Sequence, residues 1–410
     1  MPAKSAREFT DGVCVNVHWY FGDTSYAANY EALKTALLDL RISCVRDQWS
    51  PGNPIQKDRF VDLAAAGIKH SVIIDNRRFN DTASDRAAAD TDRNGAVSVA
   101  EAVNHLLNNA PGSVLSLEGP NELVSTATNC ASTISQSQQL WKVKQSDPRL
   151  ADIPILSPAA AHPTQNACLG DLSAITDEGN IHSYPGDYTP DASERGEPWS
   201  LRGWVNQVRA VVGTDVPITA TETGYHTATS TADGHRPVSE TADGKYMSQL
   251  YFAYQRLGVH RAYKYELVNE WSDASLTDTQ SHFGYLRNNL THKPSYRSLK
   301  NVMDLLADTE AASLTPLEYS LTGAPSTVRS YLLQKSDGSH WLALWNDVPA
   351  WNRTTGQDIN TADVSVTLSL ASSQTVNTYR PYRSGTALRT DIGTTHKIPV
   401  GVDVTLLEIK

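Results

Sequence analysis

A (β/α)₈ barrel followed by a small all-β sandwich is the fold this sequence predicts, on three observations. Over the first ~305 residues short β-rich runs alternate with longer helical patterns, and beyond them the pattern changes to strands alone. The length of 410 residues suits a barrel of roughly 250 to 300 residues plus a unit of about 100. The expected division is residues 1–308 for the barrel and 309–410 for the sandwich.

The β-rich runs are Val13–Val17, Ile42–Trp49, His70–Asp75, Ser113–Pro120, Ile153–Pro158, Asn180–Pro185, Val216–Tyr225 and Arg261–Val268. Between them apolar residues recur three and four apart, as in Tyr26, Tyr30, Leu33, Leu37 and Leu40, while Gly67 and Gly213 end two helices. Apolar strands separated by helices imply parallel pairing, because a parallel strand needs a crossover. An open, doubly wound sheet would want a phosphate-binding GxGxxG after the first strand, and that motif is absent there. After the helix from Ser295 to about Leu306 come VRSYLLQ, WLALWND, DVSVTLSL, TVNTYRPYR and VDVTLLEIK. Asp337-Gly338 is a hairpin signal, and the alternation in DVSVTLSL predicts one buried face.

With 40% hydrophobic and 20% charged residues the chain reads as globular, and no apolar run reaches the ~20 residues that span a bilayer. A net charge of −10 without a Lys/Arg cluster argues against nucleic acid as a partner. A monomer is expected. The start MPAKSAREFT has no apolar leader core and does not decide localisation. Cys14 and Cys44 lie in apolar runs and read as buried thiols. Cys130 and Cys168 lie in polar stretches beyond strands and are the expected disulfide, which favours a secreted or extracytoplasmic protein.

Functional residues of such a barrel come from the C-terminal ends of its strands. Here those ends read Glu118-Gly-Pro-Asn121-Glu122, Thr221-Glu222-Thr-Gly and His182-Ser-Tyr184-Pro, with Arg46 in the second run. Cleaving a glycosidic bond with retention needs one protonated and one ionised carboxyl group about 5 to 5.5 Å apart across the anomeric carbon. Glu122 and Glu222 meet that demand. Arg46 and Tyr184 are expected to hold Glu222 ionised, leaving Glu122, beside a charged neighbour, with a raised pKa suited to an acid.

These residues resemble clan A of the glycoside hydrolases, in the manner of bacterial cellulase-like and xylosidase-like members. Asn121-Glu122 is similar to the clan's acid/base signature after strand four, Glu222 in TETGY to the strand-seven nucleophile, His182-Ser-Tyr184 to the strand-six pattern, and Arg46 to the strand-two arginine. The segment His282–Asn301 is similar to the one following strand eight in many bacterial members. The resemblance implies a retaining hydrolase of β-linked poly- or oligosaccharides, with Asn121 on the sugar 2-hydroxyl. One departure stands at strand eight, where the clan's tryptophan platform is replaced by YKYELVNEW, with Glu266 and Glu270 ahead of Trp271. Glu266 is then a candidate for sugar hydroxyls or an amino sugar. His18, Trp19, Tyr20, Trp49, Tyr225 and Trp271, near strand ends, are candidates to stack on sugar faces, with packing under loops the competing account; His18 and His226 are candidates to line the cleft, with a structural role the competing account.

Residues 90–101 match D-x-[DN]-x-[DN]-G-x₅-E throughout, which predicts Ca²⁺ held by Asp90, Asp92, Asn94, the Ala96 carbonyl and Glu101. The expected role is structural, with no cofactor for catalysis; the competing account is an acidic loop that caps the helix near Val99. A non-catalytic, calcium-stabilised carbohydrate-binding protein is the alternative function, and it predicts loss of a catalytic carboxylate. A serine esterase would want GxSxG, which is absent.

Overall fold

The computed structural model describes residues 2–53, 55–78, 96–124 and 127–410. After β1 (Lys4–Ser5) and α1 (Ala6–Asp11) come the barrel strands β2 (Val13–Asn16), β3 (Cys44–Gln48), β4 (Lys69–Ile73), β5 (Val114–Glu118), β6 (Gly179–His182), β7 (Ile218–Thr223) and β8 (Val259–Lys264). They pair in the order β5-β4-β3-β2-β8-β7-β6, and every pairing is parallel. The predicted fifth run, Ile153–Pro158, forms no extended strand. It contributes two parallel bridges, Leu117↔Ile155 and Leu156↔Glu178, which close the barrel between β5 and β6. Pro154 and Pro158 bracket this stretch, and each lacks the N–H a longer ladder would use.

The helices between these strands are α2 (Ser25–Ala28), α3 (Tyr30–Asp39), α4 (Gln56–Ala65), α5 (Val99–Asn109), α6 (Ala127–Ser146), α7 (Leu201–Val212) and α8 (Glu240–Arg256), and α9 (Pro294–Leu306) follows β8. Their local logic is plain in α7. The Ser200 hydroxyl accepts from Gly203 N at the start, Gly213 ends it at φ 99°, and Trp204, Val205 and Val208 join the core against the sheet.

Side chains on each strand alternate between this helix-covered face and the barrel interior. Val13, Val15 and Val45 join the outer core, so Cys14, Asn16, Cys44 and Arg46 point inward. The two cysteines expected as free thiols are therefore neighbours on adjacent parallel strands, with Cα atoms 5.0 Å apart, and they form a disulfide. Burial was legible in their apolar context; the strand register that sets them side by side was not. The predicted Cys130–Cys168 disulfide is present, Cα–Cα 6.1 Å, and ties α6 to the turn of helix at Pro163–Leu169.

The C-terminal unit comprises β9 (Tyr319–Thr322), β10 (Val328–Gln334), β11 (His340–Asn346), a ribbon of β12 (Trp351–Asn352) and β13 (Gln357–Asp358), then β14 (Val364–Arg380), β15 (Ser384–Val400) and β16 (Thr405–Ile409). Gly338, at φ 86°, makes the predicted turn between β10 and β11. On β14 Val366, Leu368 and Leu370 are buried, the alternation expected of a half-wet strand. Its first half pairs with β9 and its second with β16, with a register shift between Ser369 and Gln374, so one long strand serves both layers of the sandwich. Strand β1, from the N-terminus, adds to β10 in parallel.

Trp341, Trp345 and Trp351 of this unit lie in the same apolar core as Tyr246 and Phe252 of α8. Tyr246 Oη accepts from Ala350 N at 2.6 Å, and Asn301 on α9 donates to Pro381 O at 2.7 Å.

The Cys14–Cys44 bond closes a loop of 30 residues. Cys14→Ala/Cys44→Ala should therefore lower unfolding free energy by about 2–4 kcal/mol in urea titration under oxidising conditions. Equal stability of the two proteins would contradict a structural role for the bond.

Candidate active site

The barrel's C-terminal mouth opens into a cavity of about 500 Å³. On its floor Arg46, 2% exposed, is the hub. Its Nε donates to Glu118 Oε1 at 2.5 Å, Nη1 to Glu222 Oε1 at 2.7 Å and to Asn16 Oδ1 at 3.2 Å, and Nη2 to Asn121 Oδ1 at 2.7 Å. Register explains the convergence: Asn16 stands opposite Arg46 on the adjoining strand, and His182 opposite Glu222. The pairing slips beside Glu222, between Ile181 and His182 and between Ala220 and Thr223. Such an irregularity lets consecutive residues face the same side. Thr221 and Glu222 thus both reach the interior, the Thr221 hydroxyl to Asn180 Oδ1 at 2.8 Å and Glu222 to Arg46.

Glu222 accepts on both oxygens, from Arg46 on Oε1 and from the Tyr184 hydroxyl on Oε2 at 2.8 Å. Burial and the nearby Glu222 charge push the Tyr184 hydroxyl far above its ordinary range, so it keeps its proton and donates. Glu122 sits four residues beyond β5 in left-handed backbone, φ 46°, a conformation that costs a non-glycine residue about 1–3 kcal/mol. It accepts from His182 Nδ1 at 2.8 Å. A Glu122 oxygen, a Glu222 oxygen and a His182 ring nitrogen all lie within 4.8 Å of one another.

The sequence led us to expect a raised pKa for Glu122, and the surroundings act the other way. Burial pushes the carboxyl up, but the hydrogen bond and charge of His182, with Arg46 behind it, outweigh burial and hold it below the usual range. For His182, burial works against the charged form, while Glu222 and then Glu122 outweigh it and raise the imidazole. Both directions favour the proton on His182 over Glu122.

Of the other predicted residues, His18 lines the cavity, stacked on Phe21 at 4.5 Å between centroids. Trp19, Trp49 and Tyr225 do not reach it. Trp19 is fully buried against Tyr26 and Tyr30 in the helical layer. Trp49 packs on Phe60, and the Tyr225 hydroxyl donates to Tyr188 O. Trp271 is half-buried and away from the cavity wall. Glu266 is buried behind His18, accepts from the Tyr26 hydroxyl at 2.9 Å, and has its pKa raised by burial and then by Glu270. The residue that faces the cavity from this strand end is its neighbour Tyr265, joined by Tyr20, Phe21 and Phe283. Tyr265 was visible as an aromatic at a strand end; only a shift of one residue decides which of the two enters the cleft.

Among the described residues two groups bring three metal-ligating side chains together, Glu122–His182–Glu222 and His18–Glu266–Glu270. In the first, both Glu222 oxygens are already engaged by donors, an arrangement built for a bare carboxylate. Asp90, Asp92 and Asn94 of the predicted calcium loop lie outside the described residues. Glu101 is described: its carboxylate accepts from Ser98 N at 2.8 Å and its own N–H donates to the Ser98 hydroxyl, a capping box at the start of α5.

No family model matches the chain, and no curated protein matches it. Solved structures do. A family 39 glycoside hydrolase from Bacteroides cellulosilyticus WH2 aligns with a TM-score of 0.65 at 15% identity, over 100% of this chain and 83% of that one. A family 39 enzyme from Xanthomonas axonopodis pv. citri gives 0.56 at 13% identity, over 100% and 95%. A family 51 α-L-arabinofuranosidase from Bifidobacterium longum gives 0.54 at 10% identity, over 100% and 97%. At these identities the likeness establishes the fold, barrel and sandwich together, as the one these hydrolases share.

The imidazole of His182 should titrate above 6.5, its ordinary value, and Glu122→Gln should lower it by removing one of the two carboxylates that stabilise the cation. Folding stability lent by the charged imidazole is then complete below about pH 6.5 and fades as pH rises through the higher folded-state pKa. NMR titration of the His182 ring nitrogens in both proteins checks this; an unchanged pKa in Glu122→Gln would break the pairing.

Proposed function

We propose that this chain is a retaining O-glycoside hydrolase of β-linked oligo- or polysaccharides, with Glu222 as nucleophile and Glu122 as acid/base. The observation that carries the reading is the pair of carboxylates opposed within 4.8 Å at the mouth of a barrel, one oriented by Arg46 and Tyr184 and the other by His182. Retaining enzymes hold their carboxyl groups about 5–5.5 Å apart, and inverting ones about 6.5–9.5 Å. The fold shared with family 39 and family 51 hydrolases supports the same assignment.

In the first step a Glu222 oxygen attacks the anomeric carbon as the bond to the leaving oxygen breaks, and that oxygen takes a proton from Glu122. The proton originates on His182 and crosses the 2.8 Å hydrogen bond to Glu122. Esterification removes the charge of Glu222, the largest influence holding the imidazole up, so the pair is less basic after the step than before it. Water then attacks the same carbon, Glu122 takes its proton, and the ester bond to Glu222 breaks. Tyr265, Tyr20 and Phe21 supply apolar faces for pyranose C–H surfaces, and Asn121 is placed for a sugar hydroxyl.

Glu222→Ala should abolish turnover, a loss on the order of 10⁴-fold or more, whereas Glu122→Ala should still cleave aryl glycosides whose leaving group needs no proton. A panel of aryl glycosides and polysaccharides read by reducing-end release tests both, and substantial activity of Glu222→Ala on polysaccharide overturns the assignment.

We also propose that the loop 90–101 binds Ca²⁺ as a staple between β4 and α5. The support is the motif itself, whose donor set is all oxygen; the capping box of Glu101 with Ser98 belongs equally to the competing account. Pairing of all four cysteines supports a secreted or extracytoplasmic protein. Chelator should lower the calorimetric melting temperature while leaving the catalytic rate below that temperature near its starting value; an unchanged transition would remove the stabilising role.

A further inference from the structure

The β12–β13 ribbon of the sandwich lies against the barrel loop that carries Tyr184. Arg353, at the ribbon's turn, sets its guanidinium carbon 3.9 Å from the centroid of Tyr188 and pairs with Glu194 at 3.1 Å. Arg195, next to Glu194, is 5.5 Å from the same Tyr188 ring and 5.2 Å from Trp199, and its Nη1 donates to Tyr184 O at 3.2 Å. Tyr184 in turn holds Glu222 Oε2.

A second route ends on the same loop. Ala350 N, just before the ribbon, donates to the Tyr246 hydroxyl. The Tyr246 ring lies 5.2 Å from Tyr225, and Tyr225 donates to Tyr188 O at 3.0 Å. Tyr225 stands three residues beyond Glu222 and is buried. Both routes grip Tyr188, four residues along the loop from Tyr184.

From this geometry, and resting on the catalytic reading of Glu222, we infer that the sandwich completes the active site from outside it: Arg353 and Tyr225 are positioning residues that brace the loop 184–200 and so fix the Tyr184 hydroxyl on the nucleophile. Neither touches the cavity. The loop between β6 and Ser200 contains only a short turn of helix at Ser193–Arg195 and no strand; its backbone hydrogen bonds are local turns, and the contacts of Arg353 and Tyr225 tie it to the sandwich and to the barrel. A planar cation over an aromatic face is a directional contact that a surface ion pair alone does not supply.

The test uses the full chain and two readouts. Hydrogen–deuterium exchange of amides 184–200 should quicken several-fold in Arg353→Ala, with the barrel strands unchanged, whether or not the substrate has been identified. On an activated aryl glycoside Arg353→Ala should lower kcat/KM by about threefold to tenfold, and Arg353→Lys, which keeps a cation over Tyr188, should recover most of it. The decisive comparison is a double-mutant cycle: in a Tyr184→Phe background, where the hydroxyl to be positioned is gone, Arg353→Ala should cost nothing further. Unchanged exchange in the loop overturns the brace. The same fold loss in both backgrounds overturns the route through Tyr184. If Glu222→Ala retains turnover, the catalytic reading fails instead, and the exchange result still judges the brace.

Discussion

One buried guanidinium organises this molecule. Arg46 reaches Glu118, Glu222, Asn16 and Asn121, which come from three other strands and one loop, and nearly all of its hydrogen-bonding capacity is used there. Burial alone would weaken its charge; the carboxylates of Glu118 and Glu222 more than reverse that and keep it fully protonated. Two carboxylates in a barrel interior with no cation between them would each carry a desolvation penalty of several kcal/mol. With Arg46 between them, both carboxylates are paired to one guanidinium, Glu118 through Nε and Glu222 through Nη1. Lys in its place would keep the charge and lose the fork that orients four acceptors at once.

The rest of the site hangs from that frame. The network from Arg46 through Glu118 to Asn180 and Thr221 reaches the ring of His182, so the imidazole between the two glutamates is fixed at both nitrogens. A rigid imidazole facing two carboxylates resolves a tension in the chemistry. The hydrogen bond and charge of His182, and after them the charge of Arg46, hold the Glu122 carboxyl below its usual range. On the proposed mechanism, a proton on His182 stands one hydrogen bond from Glu122, and the charge lost were Glu222 esterified would tip the balance of the pair.

The architecture could be read from the sequence because a parallel barrel writes two periods, one of strands and one of helices, and because its functional residues crowd at strand ends. That made Glu122, Glu222, Arg46, His182 and Tyr184 visible, and the structure gathers them in one cavity. What stayed hidden depends on single-residue shifts. Trp19 and Glu266 each sit one residue from a group that does line the cleft, His18 and Tyr265, and all four lie just beyond their strands, where no period fixes which way a side chain points. Cys14 and Cys44 were recognisable as buried, but their pairing is a matter of strand register. Tyr225 followed Glu222 closely enough to suggest the cleft, and its partner Tyr188 lies in a loop whose path no periodicity describes. The pKa of Glu122 depended on which neighbour lay nearest, and His182 rather than Glu222 holds that place.

The most direct test of the central claim is capture of the covalent intermediate. An aryl 2-deoxy-2-fluoroglycoside carries a leaving group that needs no acid and a substituent that slows hydrolysis of the ester, so the enzyme should gain the mass of one glycosyl unit, and peptide mapping should find it on Glu222. A glycosyl adduct on any other residue, or turnover of the corresponding unmodified glycoside with inversion at the anomeric carbon, would contradict it.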